Sequence, residues 1–213
     1  MDVTLQNRAD GSPILVWRYG RACLTCASGP HGGGLGLRSW AFNAQVPTGY
    51  SHPDPDAHCA EMAVELGLAG EGVGLLTAAD VEAWTRGEDG GALVAATVGL
   101  GQPEWAAAPA SVGTPPGAGT INVLAWVPER LSDAALVNAV ATITEAKVQA
   151  LVEAGVDGSG TATDAVVVAC PAEGDAHTYG GPRSRWGAPL ARAAHSAIRD
   201  GIPHSFWRQQ TSS

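Results

Sequence analysis

Two apolar, β-branched runs flanking a helix-length segment limit this chain more than any other feature. Residues 120–127 (TINVLAWV) lie between Gly119 and Pro128, and residues 164–170 (DAVVVAC) form a second run too apolar to alternate. Such runs suit strands buried on both faces. Between them Ser132 is placed to cap a helix, Asp133 suits the positive end of its dipole, and Gly155 is placed to end it. Winding residues 133–153 at about 100° each aligns Leu136, Val140, Ile143 and Leu151. Val137, Ala141, Val148 and Val152 add an apolar flank. Lys147 falls in the middle of the main stripe. A buried, unpaired ammonium is costly, so Lys147 must snorkel, pair with an acid or meet a ligand, and Asp164 at the mouth of the next strand is the nearest partner. Glu145 lies about 160° from Lys147, in line with Asn138, Thr142 and Gln149.

A chain of 213 residues with 45% hydrophobic content can bury a sizeable core, and one domain is expected. Its limits are set at residues 14–202, with 1–13 and 203–213 as short terminal segments. The fold class expected is a single α/β domain, a mixed sheet of about six or more strands covered by helices in a layered sandwich. Which strands are parallel stays open, although the long helix suits a crossover. The net charge of −9 and the lack of a Lys/Arg run argue against nucleic acid and acidic membrane surfaces as partners. The N-terminus has no basic region followed by an apolar one, and no uninterrupted apolar run reaches about 18 residues. A cytoplasmic location is the expectation. Cys23, Cys26, Cys59 and Cys170 do not make a disulfide framework, and Cys23–Cys26 reads as core thiols rather than a redox or zinc motif.

Residues 14–18 and 22–28 read as a hairpin around Tyr19–Gly20. Residues 28–37 (SGPHGGGLGL) lack the Lys-Ser/Thr of a phosphate loop and lead into a strand, so the glycines serve a sharp turn or the approach of a large ligand. The turn-rich residues 47–55 carry Tyr50, His52 and Asp54, and Asp54 with Pro55 opens a helix ending near Gly67. His52, His58 and Glu61 offer two imidazoles and a carboxylate to a metal, but no HExxH-type pair fixes their geometry. Thr77-Ala-Ala-Asp80 predicts a short helix to about Arg86. Residues 93–99 read as a strand. Residues 101–119 form a Pro/Ala/Gly loop, either a lid carrying Trp105 or a flexible insertion. Residues 171–186 form a Gly/Pro-broken loop with His177 and Tyr179, and residues 189–200 a closing helix. His195 reads as structural or exposed, and the tail from His204 as frayed unless Phe206 and Trp207 dock.

No G-x-S-x-G elbow occurs, which disfavours a serine hydrolase. Instead Thr, Asn, Glu, Lys and Asp gather at strand and helix ends: Thr120, Asn122, Thr144, Glu145, Lys147, Thr161, Thr163 and Asp164. Such groups can supply oxyanion donors, a base and a cation, or simply satisfy caps and turns. Gly119-Thr-Ile-Asn122, residues 131–140 (LSDAALVNAV), Thr144-Glu-Ala-Lys147 and Gly160-Thr-Ala-Thr-Asp164 resemble motifs of the CbiZ family, the adenosylcobinamide amidohydrolases. Arg38-Ser-Trp, Asn43-Ala-Gln-Val-Pro47, the Tyr50 to Pro55 turn and Leu76-Thr-Ala-Ala-Asp80 resemble it too, in family order across residues 14–200.

The resemblance implies hydrolysis of the amide that joins the aminopropanol arm to the corrin ring of adenosylcobinamide, giving adenosylcobyric acid in cobamide salvage or remodelling. It implies a small-molecule corrinoid partner, a substrate that brings its own cobalt; direct attack by water, with no bound metal or separate cofactor, is the mechanism expected here. A homo-oligomer stays open. On this reading Asp164 or Glu145 deprotonates water, Lys147 and Thr163 stabilise the oxyanion, and His52 protonates the leaving amine. Trp40, Asn43, Thr120, Asn122, Thr144 and Thr161 are assigned to substrate contact. Three alternatives remain: a metal-dependent amidase using His52, His58, Glu61 or His177; a non-catalytic corrinoid carrier; and a threonine nucleophile at Thr120, Thr161 or Thr163.

Overall fold

The computed structural model describes residues 2–109 and 119–207. One eight-stranded mixed sheet runs through it, ordered β4-β3-β2-β8-β7-β6-β5 with β1 paired to β2. The strands are β1 Asp2–Asn7, β2 Pro13–Ala27, β3 Gly34–Gln45, β4 Gly72–Thr77, β5 Thr85–Asp89, β6 Ala92–Val98, β7 Ile121–Trp126 and β8 Ala165–Pro171. The helices are α1 Pro55–Glu65, α2 Asp133–Glu153, α3 Gly187–Gly201 and the single turn α4 His204–Trp207. Phe206 of α4 packs against the core.

The central unit forms as its sequence dictates. β7 and β8 are parallel neighbours joined through α2, a crossover. Ser132 caps α2 by accepting from Ala135 N, and Gly155 follows its last residues. Along β8 the side chains alternate between two cores. Val166, Val168 and Cys170 meet the layer under α2 and α3, whereas Ala165, Val167 and Ala169 face the other way. Within α2, Leu136, Ile143 and Leu151 are fully buried, each contributing about 1.5–3 kcal/mol of apolar burial. Among the described residues α2 alone has the length and apolar content to cross a membrane, yet it is packed on β8 and α3 as a core helix.

The sheet folds over on itself. Asn43 of β3 and Asn122 of β7 are separated by two strands in the sheet order, yet Asn122 Nδ2 lies 2.8 Å from Asn43 Oδ1, and Asn43 Nδ2 donates to Thr97 of β6 at 2.9 Å. The strands β2–β4 thus face β6–β8 across an inner core of Leu15, Trp17, Ala41, Val73, Leu75, Leu124 and Val167. On the far side of β2 and β3, α1 buries Cys59, Met62 and Ala63 against Ile14, Val16 and Phe42.

Two local expectations change. Residues 14–18 and 22–28 are not a hairpin: β2 runs unbroken from Pro13 to Ala27 and absorbs Tyr19–Gly20 as a register shift between Arg18 and Cys23. Its first half pairs with β1 and its second with β8. The helix expected at 77–86 is a turn. Thr77 Oγ1 accepts from Ala79 N and Asp80 Oδ1 from Glu82 N, after which the chain enters β5. These side chains satisfy the backbone locally without nucleating a helix. Within the glycine-rich residues 28–37, Gly32 (φ +62) allows the close approach of β4, since a Cβ there would collide with the Gly72 carbonyl.

Cys23 and Cys26 lie on opposite faces of β2, against the inner core and the helical core respectively, and all four cysteines are free thiols. Positions i and i+3 of a strand point apart.

Candidate active site

At the N-terminal ends of β7 and β8 the chain forms a cavity of about 760 Å³. One wall is Gly119, Thr120, Thr163, Asp164 and Ala165; other walls come from the ends of β3 and β4, from residues 47–50, and from Ser28 and Pro30 at the start of the glycine-rich loop. Volumes of this order hold small-molecule ligands.

The threonine wall is organised by a buried ion pair. Lys147 is 8% exposed and pairs with Asp164 Oδ2, the partner its place on the apolar stripe demanded. Asp164 also accepts from Ile121 N at 2.8 Å and from Thr161 N at 3.2 Å, and Thr161 Oγ1 lies 2.5 Å from Asp164 Oδ1. These contacts tie α2, β7 and the turn before β8 to one carboxylate. Gly160 lies directly against the pair, and a Cβ there would overlap both Asp164 Oδ2 and Lys147 Nζ. The preceding loop is fastened to the same turn. Glu104 exchanges backbone hydrogen bonds with Ser159 and Gly160, Trp105 Nε1 donates to Asp157, and Ala106 N to Ser159 Oγ. Residues 110–118 of the expected lid or insertion lie outside the described residues.

A short hydroxyl chain faces the cavity. Thr163 Oγ1 is 2.7 Å from Thr120 Oγ1 and 3.2 Å from the Gly119 carbonyl, while Thr161 Oγ1 is 2.9 Å from that carbonyl. Thr161 has a single proton and gives it to the closer Asp164 carboxylate, so Thr163 donates either to the Gly119 carbonyl or, turning away from it, to a bound group, in both cases accepting from Thr120. A hydroxyl so placed can donate to an oxyanion.

The remaining assigned residues fall elsewhere. Glu145 and Thr144 are exposed on α2; Thr144 Oγ1 donates back to Val140 O, and Glu145 lines a separate groove of about 240 Å³ with Gln149, Arg192 and His195. Neither is brought to the cavity, as the helical winding of Glu145 foreshadowed. Trp40 is buried, stacks on Phe42 and His31, and donates Nε1 to Gly70 O, so its ring is spent in the core. Asn43 and Asn122 are fully buried and bind each other. Asn122 Nδ2 also donates to the carbonyl of Leu76, a cavity residue, which places this network beneath the cavity floor. Asn122 Oδ1 has no partner.

His52 is not a lining residue. Its Nδ1 accepts from Asp54 N, and its ring stacks on His58 with centroids 4.8 Å apart. His58 Nδ1 is bonded to Tyr50 Oη at 2.8 Å. Stacked rings with these nitrogens engaged do not converge on one point with Glu61, and among the described residues no three His, Cys, Asp or Glu side chains form a metal-holding group. His177 is farther along the chain, bonded to Glu129. Tyr50, Ser28, Thr48 and Thr77 line the cavity without having been assigned to it. Only Tyr50 carried a signal, through its place in the turn beside His52.

A family model described as adenosylcobinamide amidohydrolase (CbiZ) matches residues 2–210. An adenosylcobinamide amidohydrolase of Methanosarcina mazei is 33% identical over 180 residues, 80% of this chain and 86% of that protein. One from Halobacterium salinarum is 32% identical over 169 residues, 76% of this chain and 73% of that protein. The match covers every strand and helix of the described fold, the turn that carries Thr161, Thr163 and Asp164 included. By sequence and by extent, then, the chain belongs to the adenosylcobinamide amidohydrolase family.

Proposed function

We propose that the protein hydrolyses the amide between the aminopropanol arm and the corrin ring of adenosylcobinamide, releasing adenosylcobyric acid for cobamide salvage. The observation that carries this reading is the cavity whose wall is the Thr120–Thr163 hydroxyl chain, braced by the Lys147–Asp164 pair, in a chain of this family. A corrin ring with its peripheral amides is larger than a cavity of about 760 Å³, so the arm enters and the ring rests at the mouth. Pro30, Val46, Pro47 and Pro55 among the lining residues offer it apolar contact.

In this arrangement Thr163, accepting from Thr120, donates to the amide oxygen as negative charge develops on it. Lys147 and Asp164 hold the turn that presents Thr163. Asp164 is already engaged by Lys147, Thr161 and the Ile121 amide, which favours a positioning role over removal of a proton from water. The test is incubation with adenosylcobinamide, with and without chelator, following aminopropanol and the cobyric acid product. Release in both samples supports metal-independent hydrolysis. Release lost with chelator points to a metal amidase, and binding of the coloured ligand without release makes the protein a carrier.

A further inference from the structure

The hydrolysis reading needs a group that takes a proton from water and returns it to the departing amine. With Asp164 engaged and Glu145 in another groove, neither carboxylate first considered is placed to do so. Tyr50 lines the cavity on a segment separate from the threonine wall, and its hydroxyl is 2.8 Å from His58 Nδ1. We propose that Tyr50 and His58 form the proton relay of this site, Tyr50 meeting the substrate water and His58 storing the proton behind it. This rests on the amide-hydrolysis reading and adds the residues that move its proton.

The local structure is built to hold the pair. Asp54 caps α1 by accepting from Ala57 N, which sets His58 in the first turns of the helix. The Tyr50 and His58 rings stack with centroids 5.7 Å apart, and the His52 ring packs against both, 4.8 Å from His58 and 6.3 Å from Tyr50. The charged groups facing His58 are His52, Arg8, Glu61 and Asp10; Arg8 and Asp54 face Tyr50, with the Cys59 thiol beside it. Burial, then the neighbouring His52 and Arg8, hold the His58 imidazole below its ordinary range, while Glu61 and Asp10 oppose them. Burial first, with Cys59 and Asp54, raises the Tyr50 phenol. Both shifts keep the pair as a phenol donating to a neutral imidazole at neutral pH.

The step balances within the site. Water oxygen bonds to the amide carbon as one water proton passes to Tyr50 Oη and the Tyr50 proton passes to His58 Nδ1. The carbonyl oxygen becomes the oxyanion held by Thr163. The C–N bond then breaks, the proton returns from His58 through Tyr50 to the leaving nitrogen, and acid and amine are released.

The experiment compares wild type, Tyr50→Phe and His58→Gln on adenosylcobinamide, measuring aminopropanol release as kcat and KM between about pH 5 and pH 9. Wild-type kcat should fall on the acid side as His58 takes up a proton below the ordinary imidazole range. Tyr50→Phe should lose about 10²-fold in kcat with KM within about threefold, and His58→Gln should be slowed without that acid limb. A purely structural role for these rings would raise KM or lower Tm and leave the limb in place. Retention of the acid limb in His58→Gln, or a Tyr50→Phe kcat within about threefold of wild type, overturns the relay. A wild type that releases no aminopropanol overturns the hydrolysis reading and the relay with it, whereas active wild type with unaffected variants overturns the relay alone.

Discussion

Replacing Lys147 with Met tests the brace behind the threonine wall. The two side chains are 10% and 12% exposed, so the pair is buried on both sides. Removing one member of a buried pair costs about 3–5 kcal/mol, chiefly because the other charge stays buried without its partner. Here Asp164 keeps Ile121 N, Thr161 N and the Thr161 hydroxyl, and Met fills the path of the lysine stem, so the lower end, about 3 kcal/mol, is expected. For a chain of this size that is a fall of about 6–12 °C in Tm, read by thermal melting with far-UV dichroism to confirm a native fold. Turnover should be abolished, because Thr163 follows the turn that Asp164 holds. Adding Asp164→Asn should recover part of the loss, since the stranded charge is then gone, with a coupling energy of about 1–3 kcal/mol. A Lys147→Met protein melting within about 2 °C of wild type, or one with near-normal turnover, would refute both the energetic and the positioning argument.

Gly160→Ala should lose activity with a smaller stability cost, about 1–3 kcal/mol, because its Cβ must displace Lys147 Nζ or Asp164 Oδ2; kcat together with the melting curve reads both effects. The Glu129 carboxyl is held below its ordinary value by hydrogen bonds from Trp186 and His177 and by Arg185. Its stabilising contribution is therefore complete above the ordinary carboxylate range and is lost as pH falls through the lowered value, and Glu129→Gln should flatten Tm against pH in that acidic window. Burial pushes the Cys59 thiol up to about 12 and the Cys170 thiol up to about 11, and both are buried with Cys23. Alkylation of the native protein, followed by mass spectrometry, should label the partly exposed Cys26 first and slowly.

The parts of the fold that could be read in the sequence were those where local chemistry and burial agree. Ser132, Asp54 and the two apolar runs each do what their residue types favour, and they place α1, α2, β7 and β8. Lys147 was legible because a cation on an apolar stripe must find an acid, and the structure supplies Asp164. Where the same signals serve another end, the reading failed. Tyr19–Gly20 looks like a turn but is absorbed in a strand whose two halves serve different partners, a fact set by β1 and β8 and not by β2 itself. Strand β5 (TRGED) carries no apolar alternation of its own, because Gly87 is pressed on the α3 backbone and Arg86 and Glu88 pair with each other in solvent. Asn43 and Asn122 have the composition of ligand contacts, and only the folding-over of the sheet shows that they face each other. Tyr50 and His58 were visible as residues of the turn and helix, but their hydrogen bond depends on how the turn folds back on the start of α1, which residue types alone do not fix.

The place of β8 in the sheet bears on how the chain is made. It stands between β2 and β7, although it follows every other described strand in sequence and so leaves the ribosome after them. Until residues 165–171 emerge, the second half of β2 waits with an open edge, and the threonine wall has no floor on which to form. Closure of such distant pairings is slow, and nascent chains stalled before β8 should be the ones that chaperones hold and proteases clear.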